Sequence, residues 1–400
     1  MSRVRIAAWV TPGLVGIVLA TFLSDVGHEM ATGVLPLYLT SIGLGAAALG
    51  AMEGAADLAF SLAKLAGGWV GHRTRRKRPL AALGYLVTAL GTGAIALTQS
   101  VAALASVRSA AWMGRGFRSP LRDFMLADEV GPTHFGRAYG VERAADMLGA
   151  VAGPLLAAVL VSVGLPLRSV ILLSVAPALL AAVSFYSLTR DRETVTGPTA
   201  VGPAASGLPR SFWLFTGGVA LFGLGDFSRT FLIFLAATTL GPGWAGAALP
   251  AAMLLYAAHN AVSALAAYPA GALGDRLSRR GVLTAGYALG VLTNVLLAWS
   301  TGRPAVLLAA VGLSGIYIAV EETLEKATAA ELLPREQRSL GLGVLASANA
   351  VGDMLSSIGV GLLLSRGYPQ AAFLIPAGCG LAGTVWMACL RGRPAYSSAS

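Results

Sequence analysis

The sequence predicts an all-α membrane protein with twelve transmembrane helices arranged as two six-helix bundles. Of its 400 residues, 56% are hydrophobic and only 12% are charged, with a mean hydropathy of +0.70. Soluble globular proteins carry about 25% charged residues. The apolar stretches are continuous and lack the period-two alternation of outer-membrane strands. Since one crossing needs roughly 20 apolar residues, the chain can hold about a dozen helices. A soluble enzyme and a strand barrel are both excluded.

Polar breaks define the twelve spans and the domains. The spans are residues 12–39, 46–71, 80–98, 102–128, 138–163, 169–189, 211–239, 245–273, 281–300, 304–332, 339–365 and 370–390. The longest break, Arg190 to Arg210, is rich in proline and glycine and predicts a flexible linker. We therefore assign residues 1–190 and 211–400 to two bundles and residues 191–210 to a cytoplasmic linker.

Basic residues alternate between the two sides of the membrane. Loops on the side of the N-terminus carry eighteen Lys and Arg, and the opposite loops carry only Arg168, Arg303 and Arg366. Short basic loops stay in the cytoplasm. Both termini are therefore predicted to be cytoplasmic in the inner (plasma) membrane. The net charge of +10 reflects this topology and does not indicate nucleic-acid binding.

An internal repeat relates the two predicted bundles. Shifting the second half by about 203 residues aligns Gly68, Gly71, Arg73 and Arg76 with Gly271, Gly274, Arg276 and Arg279. Repeats of this length predict two bundles related by an axis along the membrane normal, with a substrate site between them.

Charged residues inside the spans indicate a hydrated interior. Twenty Asp, Glu, Lys and Arg lie away from the span ends, and thirteen of them fall on spans 1, 4, 7 and 10. Each would cost roughly 2.5–3.5 kcal/mol facing lipid at mid-membrane. The four charged helices are therefore predicted to line a wet interior. Asp25, Arg115 and Asp226 lie near the middle of their spans, as expected of an alternating-access carrier.

Two loops and two helices carry a resemblance to the major facilitator superfamily over essentially the whole chain. The loop Gly271-Ala-Leu-Gly274-Asp275-Arg276-Leu-Ser-Arg279-Arg280 is similar to the signature of that superfamily. The corresponding first-half loop has His72 where the family has Asp. The resemblance implies the major facilitator fold and a conformational latch that is weakened or pH-sensitive at His72. The implied latch residues are Gly71, His72, Arg73, Gly274, Asp275 and Arg276.

Spans 4 and 5 add to this resemblance. Gly149, Gly153 and Pro154 are similar to the glycine-proline motif of the superfamily's drug/proton antiporters, although Ala157 replaces a later glycine. Ordinary helix packing is the alternative interpretation. Arg108 or Arg115 matches the family's helix-4 arginine, which the resemblance implicates in proton coupling.

The candidate pathway residues share helix faces within the charged spans. Asp25 is the first candidate for the proton carrier, and a static ion pair with an arginine of span 4 is the alternative. For Glu321 and Glu325, pairing with Lys326 and the span 4 arginines is the alternative to a role in the pathway. The full set for substrate and protons is Asp25, His28, Glu29, Arg108, Arg115, Arg118, Arg122, Asp226, Glu321 and Glu325.

These features predict a proton-coupled exporter of a cationic small solute, with hydrophobic drugs as the first class of cargo. Divalent-metal export through Asp25, His28 and Glu29 is one alternative, although one helix supplies few ligands. Export of a lipid or organic anion along the arginine stripe is another. No cofactor, nucleic acid or ATPase subunit is expected, so an ion gradient must drive transport. The zinc-enzyme motif is incomplete after His28-Glu29, and we predict no enzymatic activity. The expected partners are the substrate and membrane lipid.

Overall fold

A computed structural model describes most of the chain. The described residues are 9–44, 46–192, 207–227, 231, 232, 235 and 248–390, without the side chains of 40, 46–51 and 248–253. Arg3, Arg5, Arg229, Arg391, Arg393 and most of the predicted linker lie outside them, as does much of the seventh predicted span.

The regular structure of this part of the chain is entirely helical. The helices are α1 (Pro12–Ser41), α2 (Ala46–Arg73), α3 (Lys77–Ala94), α4 (Val101–Glu129), α5 (Phe135–Ser162), α6 (Leu167–Leu173), α7 (Val175–Leu188), α8 (Arg210–Gly223), α9 (Ala248–Arg276), α10 (Arg279–Ala298), α11 (Pro304–Leu332), α12 (Arg338–Ser365) and α13 (Pro369–Cys389). Short 3-10 turns occur at Ile95–Leu97, Pro132–His134 and Arg335–Gln337.

Eight segments of the described chain are long and apolar enough to cross a membrane. They are Pro12–Leu39, Lys77–Leu97, Pro132–Ser162, Leu167–Leu188, Arg279–Ala298, Pro304–Leu332, Arg335–Ser365 and Pro369–Cys389. The segment Leu167–Leu188 is the consecutive pair α6 and α7. Helices α2 and α4 have sufficient length, 28 and 29 residues, but several charged residues lower their hydropathy.

Helix ends are fixed by polar side chains. Asp191 Oδ1 accepts hydrogen bonds from the backbone N–H groups of Lys77 (3.0 Å) and Arg78 (2.9 Å) at the start of α3. Ser100 and Ser278 accept bonds from the first turns of α4 and α10. These contacts satisfy N–H groups that have no acceptor inside the helix.

The chain divides into two compact units. Unit 1 contains Met1–Ala138, Ala145–Pro209 and Leu333–Val344, and unit 2 contains Tyr139–Ala144, Arg210–Leu332 and Leu345–Ser400. Residues 139–144 of α5 thus group with unit 2, and the start of α12 groups with unit 1. The boundaries 1–190 and 211–400 remain a prediction from the sequence.

The backbones of α2 and α4 in unit 1 approach each other closely at glycine residues. A Cβ atom at Gly67 of α2 would lie 2.1 Å from the carbonyl oxygen of Phe117 in α4, and one at Gly116 would lie 2.5 Å from that of Phe60. Small residues allow this packing in membrane helices, where no hydrophobic effect drives them together. The contact holds α4 and its arginines against α2.

Candidate functional site

Arg115 of α4 lies between two carboxylates of unit 1. Its Nη1 donates to Asp25 of α1, and its Nη2 lies 3.6 Å from Asp146 Oδ1 of α5. Asp25 is 1% exposed. The structure therefore contains the ion pair that the sequence offered as the alternative to a proton-carrying Asp25. Asp146 was not predicted as the second partner.

Arg108 is tied to a different acid. Its Nη2 lies 3.0 Å from Glu53 Oε1 of α2, and both terminal nitrogens donate to Thr32 Oγ1 of α1 at 3.3 Å. The guanidinium group also lies over the ring of Trp112, 5.4 Å from its centroid. This arginine joins α1, α2 and α4.

Arg118 is held without a carboxylate partner in the described chain. It is 2% exposed and donates to Ser24 Oγ (2.8 Å) and Thr88 Oγ1 (3.2 Å), while its guanidinium group stacks on Tyr85 at 3.8 Å. A cation over an aromatic ring is stabilised by the ring quadrupole. Two hydroxyl groups and an aromatic ring therefore stabilise this guanidinium group in place of a carboxylate.

The arginine stripe of α4 faces a matching polar stripe of α1. Arg122 bonds Asp123 at 2.9 Å and approaches Thr21 at 3.4 Å. From Arg122 back to Arg108, the α1 partners run forward along the chain: Thr21, Ser24, Asp25 and Thr32. This is the order expected for two antiparallel helices. The sequence predicted the arginine face but missed its hydroxyl partners.

The glycines of the predicted helix-5 motif bring α5 against α1. A Cβ atom at Gly149 would lie 2.8 Å from Asp25 Cβ, and one at Gly153 would lie 2.7 Å from the carbonyl oxygen of Val26. Pro154 follows inside the helix. In this chain the motif therefore packs α5 against α1 beside the Asp25–Arg115 pair.

Gly153→Ala is expected to destabilise the protein by about 1–3 kcal/mol, because the new methyl group must displace the α1 backbone. Gly359→Ala in α12, where a Cβ would meet nothing within 4 Å, is the matched control. It should be neutral or gain up to about 1 kcal/mol of helix propensity. Thermal unfolding of the purified variants measures both effects. Equal unfolding temperatures for the two variants would contradict the proposed packing.

His28 and Glu29 continue the same face of α1. His28 is buried, its ring meets the edge of Trp112 at 5.0 Å, and its Nδ1 has no hydrogen-bond partner in the described chain. Glu29 is half-buried, with its Cβ beside Gly153. Asp25, His28 and Glu29 do not converge: no group of three His, Cys, Asp or Glu among the described residues could hold a metal ion.

Unit 2 contains acids in a different environment. Glu325 of α11 accepts a hydrogen bond from Tyr287 Oη of α10 at 2.5 Å, and Tyr287 stacks on Phe222 at 3.7 Å. Glu321, one turn before Glu325, is 1% exposed, and its Oε1 has no partner among the described residues. Asp226 accepts from Tyr317 Oη at 2.9 Å. Tyrosine hydroxyls thus donate to Glu325 and Asp226, whereas an arginine donates to Asp25 in unit 1.

The alternative pairing of Glu321 and Glu325 with basic residues is not found in the described chain. Lys326 instead lies 4.0 Å from Glu142 of α5, and Arg143 bonds Glu322 at 2.6 Å. The reason is helical periodicity: residues four apart share a face, so 321 and 325 face one way while 322 and 326 face another. Glu142 and Arg143 of α5 contact the face that carries Glu322 and Lys326.

The two predicted latch loops differ in chemistry. In unit 2, Arg279 bonds Asp275 at 2.8 Å and Glu331 at 2.7 Å, and Gly274 packs on Leu324. In unit 1, His72 Nδ1 lies 2.9 Å from the carbonyl oxygen of Glu336. Replacement of the acid by His72 thus changes an ion pair into a bond with a backbone carbonyl.

Residues near His72 form an ion pair, a close helix contact and a cation–π contact. Arg335 pairs with Asp128 through two bonds, one of 2.7 Å, and Gly71 packs against Ser339. Arg73 lies over the Trp69 ring at 4.0 Å. Arg276 of the second loop is exposed.

Known proteins share both the fold and the sequence pattern. A transporter of Methanocaldococcus jannaschii, uncharacterized but of MFS type, is 25% identical over 355 residues, which are 88% of each chain. The fucose:proton symporter of E. coli matches with a TM-score of 0.74, 14% identity and coverage of 95% of this chain and 98% of that chain. A bacterial homologue of the iron transporter ferroportin, in its outward-facing state, matches with a TM-score of 0.72, 17% identity and coverage of 94% and 98%.

The predicted twelve-helix architecture is that of these structural neighbours. The family model of the Major Facilitator Superfamily matches residues 17–258 and 220–400, which together take in almost the whole sequence. With the helical fold, the repeated glycine and arginine loops and the buried charged helices, this match places the chain in the Major Facilitator Superfamily of transporters.

Proposed function

We propose that this secondary transporter exports a cationic small solute in exchange for protons, and that Glu321 and Glu325 bind the protons. The observation that carries the proposal is the environment of these two acids. Both are buried on one face of α11, with no basic side chain within 4.0 Å in the described chain. Buried ionisable groups in a membrane are costly and mark ion pathways.

The contrast with Asp25 assigns the roles. Protonating Asp25 requires separation from Arg115, and Asp146 already competes for that arginine. Glu325 gives up nothing but the hydrogen bond from Tyr287, and that hydroxyl can also accept a bond from the protonated acid. Proton exchange at Glu325 therefore breaks no ion pair among the described residues, whereas Asp25 and Arg115 support the helix arrangement of unit 1.

A cationic cargo suits the same acids. Once deprotonated, Glu321 and Glu325 present negative charge that lacks a basic partner in the described chain, so a cation and protons compete for one place. Beside Asp226, a small pocket is lined by side chains that include Phe227, Asn294, Ser314 and Tyr317. Its volume of about 10 Å³ has room for about one water molecule, so the charge of the two acids, and not this pocket, favours a cationic cargo.

The two alternative cargoes have less support. A metal ion needs several converging ligands, and the described residues offer no group of three. An organic anion needs free basic groups, yet Arg108, Arg115 and Arg122 each contact a carboxylate. Arg118 is buried and is held by two hydroxyl groups and the Tyr85 ring. Export, rather than import, follows the resemblance of α5 to drug/proton antiporters.

Proton release from everted membrane vesicles tests the proposal. Vesicles that contain the protein are acidified inside, and a panel of lipophilic cations, Ni²⁺, Co²⁺, Fe²⁺, Zn²⁺ and an organic anion is added in turn. We expect proton efflux with at least one organic cation and with none of the other compounds. Efflux with a metal ion or the anion alone, or with no compound, would overturn the assignment.

A further inference from the structure

The exposed face of α2 forms a stripe that ends in basic residues. Leu58, Leu62 and Leu65 are exposed at intervals of four and three residues, and Trp69, 49% exposed, continues the stripe. Arg73 follows one turn later. This spacing places the five side chains along one side of the helix. The order of side chains complements a phospholipid: the leucines can contact an acyl chain, the Trp69 ring lies where membrane interfaces favour aromatic residues, and Arg73 can meet a negatively charged headgroup.

The basic end of this stripe lacks neutralising acids in the described chain. Arg73, Arg75 and Arg76 are exposed, and none of them lies within 4.0 Å of a carboxylate. The Arg73 guanidinium group lies over the ring of Trp69 at 4.0 Å. The nearby Asp191 is engaged with the backbone N–H groups of Lys77 and Arg78.

The repeat supplies an internal comparison. Arg279 aligns with Arg76 but is held between Asp275 and Glu331. Where unit 2 has Asp275, unit 1 has His72, so the corresponding carboxylate is missing beside Arg76. Where unit 1 has Trp69, unit 2 has Ala272. The exposed tryptophan of the first loop, and the lack of a carboxylate partner for Arg76 in the described chain, are therefore not repeated in the second loop, although both loops share the same repeat.

We propose that this stripe binds one anionic phospholipid of the cytoplasmic leaflet, with its phosphate on Arg73, Arg75 and Arg76 and an acyl chain along Leu58, Leu62 and Leu65. Guanidinium groups bind phosphate oxygens through paired hydrogen bonds, and basic residues beside a membrane helix attract anionic lipid. This site is inferred without reference to the identity of the transported cargo or to proton coupling.

Lipid titration of the purified full-length protein tests this site. Phosphatidylglycerol or phosphatidylcholine is added in detergent, and bound lipid is counted by native mass spectrometry. We expect wild-type protein to prefer phosphatidylglycerol, and R73Q/R76Q to bind it about thirtyfold more weakly, because each basic residue contributes about 1 kcal/mol. The control, R303Q/R366Q, has the same net charge but changes exposed arginines of the opposite loops, and it should bind like the wild type.

Three results would overturn the site. They are an unchanged preference in R73Q/R76Q, an equal loss in R303Q/R366Q, and full competition by inorganic phosphate at the concentration of the lipid. R73K/R76K, which keeps the charges but loses the paired hydrogen bonds, should bind more weakly than the wild type and more tightly than R73Q/R76Q. Thermal unfolding in phosphatidylcholine alone should match the wild type for every variant, because the changed side chains are exposed.

Discussion

Glu325→Gln is expected to abolish proton-coupled transport while the protein remains folded. The amide has the shape of the carboxyl group, and its oxygen can still accept the hydrogen bond from Tyr287 Oη that spans 2.5 Å. It cannot bind and release a proton. Substrate-driven proton release from everted vesicles should fall to the level of vesicles without the protein. Exchange of labelled for unlabelled substrate, which needs no net proton movement, should persist.

Glu336→Gln is the matched control for this change. Glu336 is exposed in the turn before α12, and its contact with His72 uses the backbone carbonyl. Normal proton release is expected from this control. If Glu325→Gln also releases protons at the wild-type rate, Glu325 is not part of the proton pathway.

Arg115→Gln is expected to cause the largest loss of stability. It leaves Asp25 and Asp146 close together in a buried site without their shared cation. Removing one partner of a buried ion pair costs about 3–5 kcal/mol, and the lower end applies here because the Arg115 side chain is 19% exposed. Thermal unfolding in detergent should show the loss.

A second substitution distinguishes this electrostatic loss from lost packing. Asp25→Asn in the Arg115→Gln background removes one of the two uncompensated charges and should recover part of the stability. Arg366→Gln, at an exposed arginine, should change stability by less than about 0.5 kcal/mol. If the double variant recovers no stability, the ion pairs of Arg115 with Asp25 and Asp146 do not have the electrostatic role assigned to them.

The sequence predicted the fold because membrane insertion imposes strong patterns. A hydrocarbon environment permits few charges on lipid-facing helices, so hydropathy and loop arginines are informative on their own. The same reasoning placed Arg108, Arg115, Arg118 and Arg122 on one face. It does not predict partners, because Asp25, Glu53 and Asp146 lie on three different helices and only their packing selects the arginine each contacts.

Other features of the site leave weaker signals. Ser24, Thr21 and Thr32 are common in membrane helices for many reasons, so their contacts with arginines could not be distinguished from ordinary packing. The interaction of Lys326 with Glu142 depends on where α5 meets α11, which no local pattern encodes. The glycines of α5 were identified because they resemble the glycine-proline motif of the superfamily. The structure shows their physical role, which is to let α5 contact α1 beside Asp25.

The roles assigned to Glu325 and Asp25 can be separated by the vibrations of protonated carboxyl groups. Infrared difference spectra between acidic and alkaline buffer would be recorded for purified wild-type protein, Asp25→Asn and the double variant Glu321→Gln/Glu325→Gln. We predict a protonated-carboxyl band that Asp25→Asn retains and the double variant loses. A band that disappears in Asp25→Asn and remains in the double variant would contradict the account.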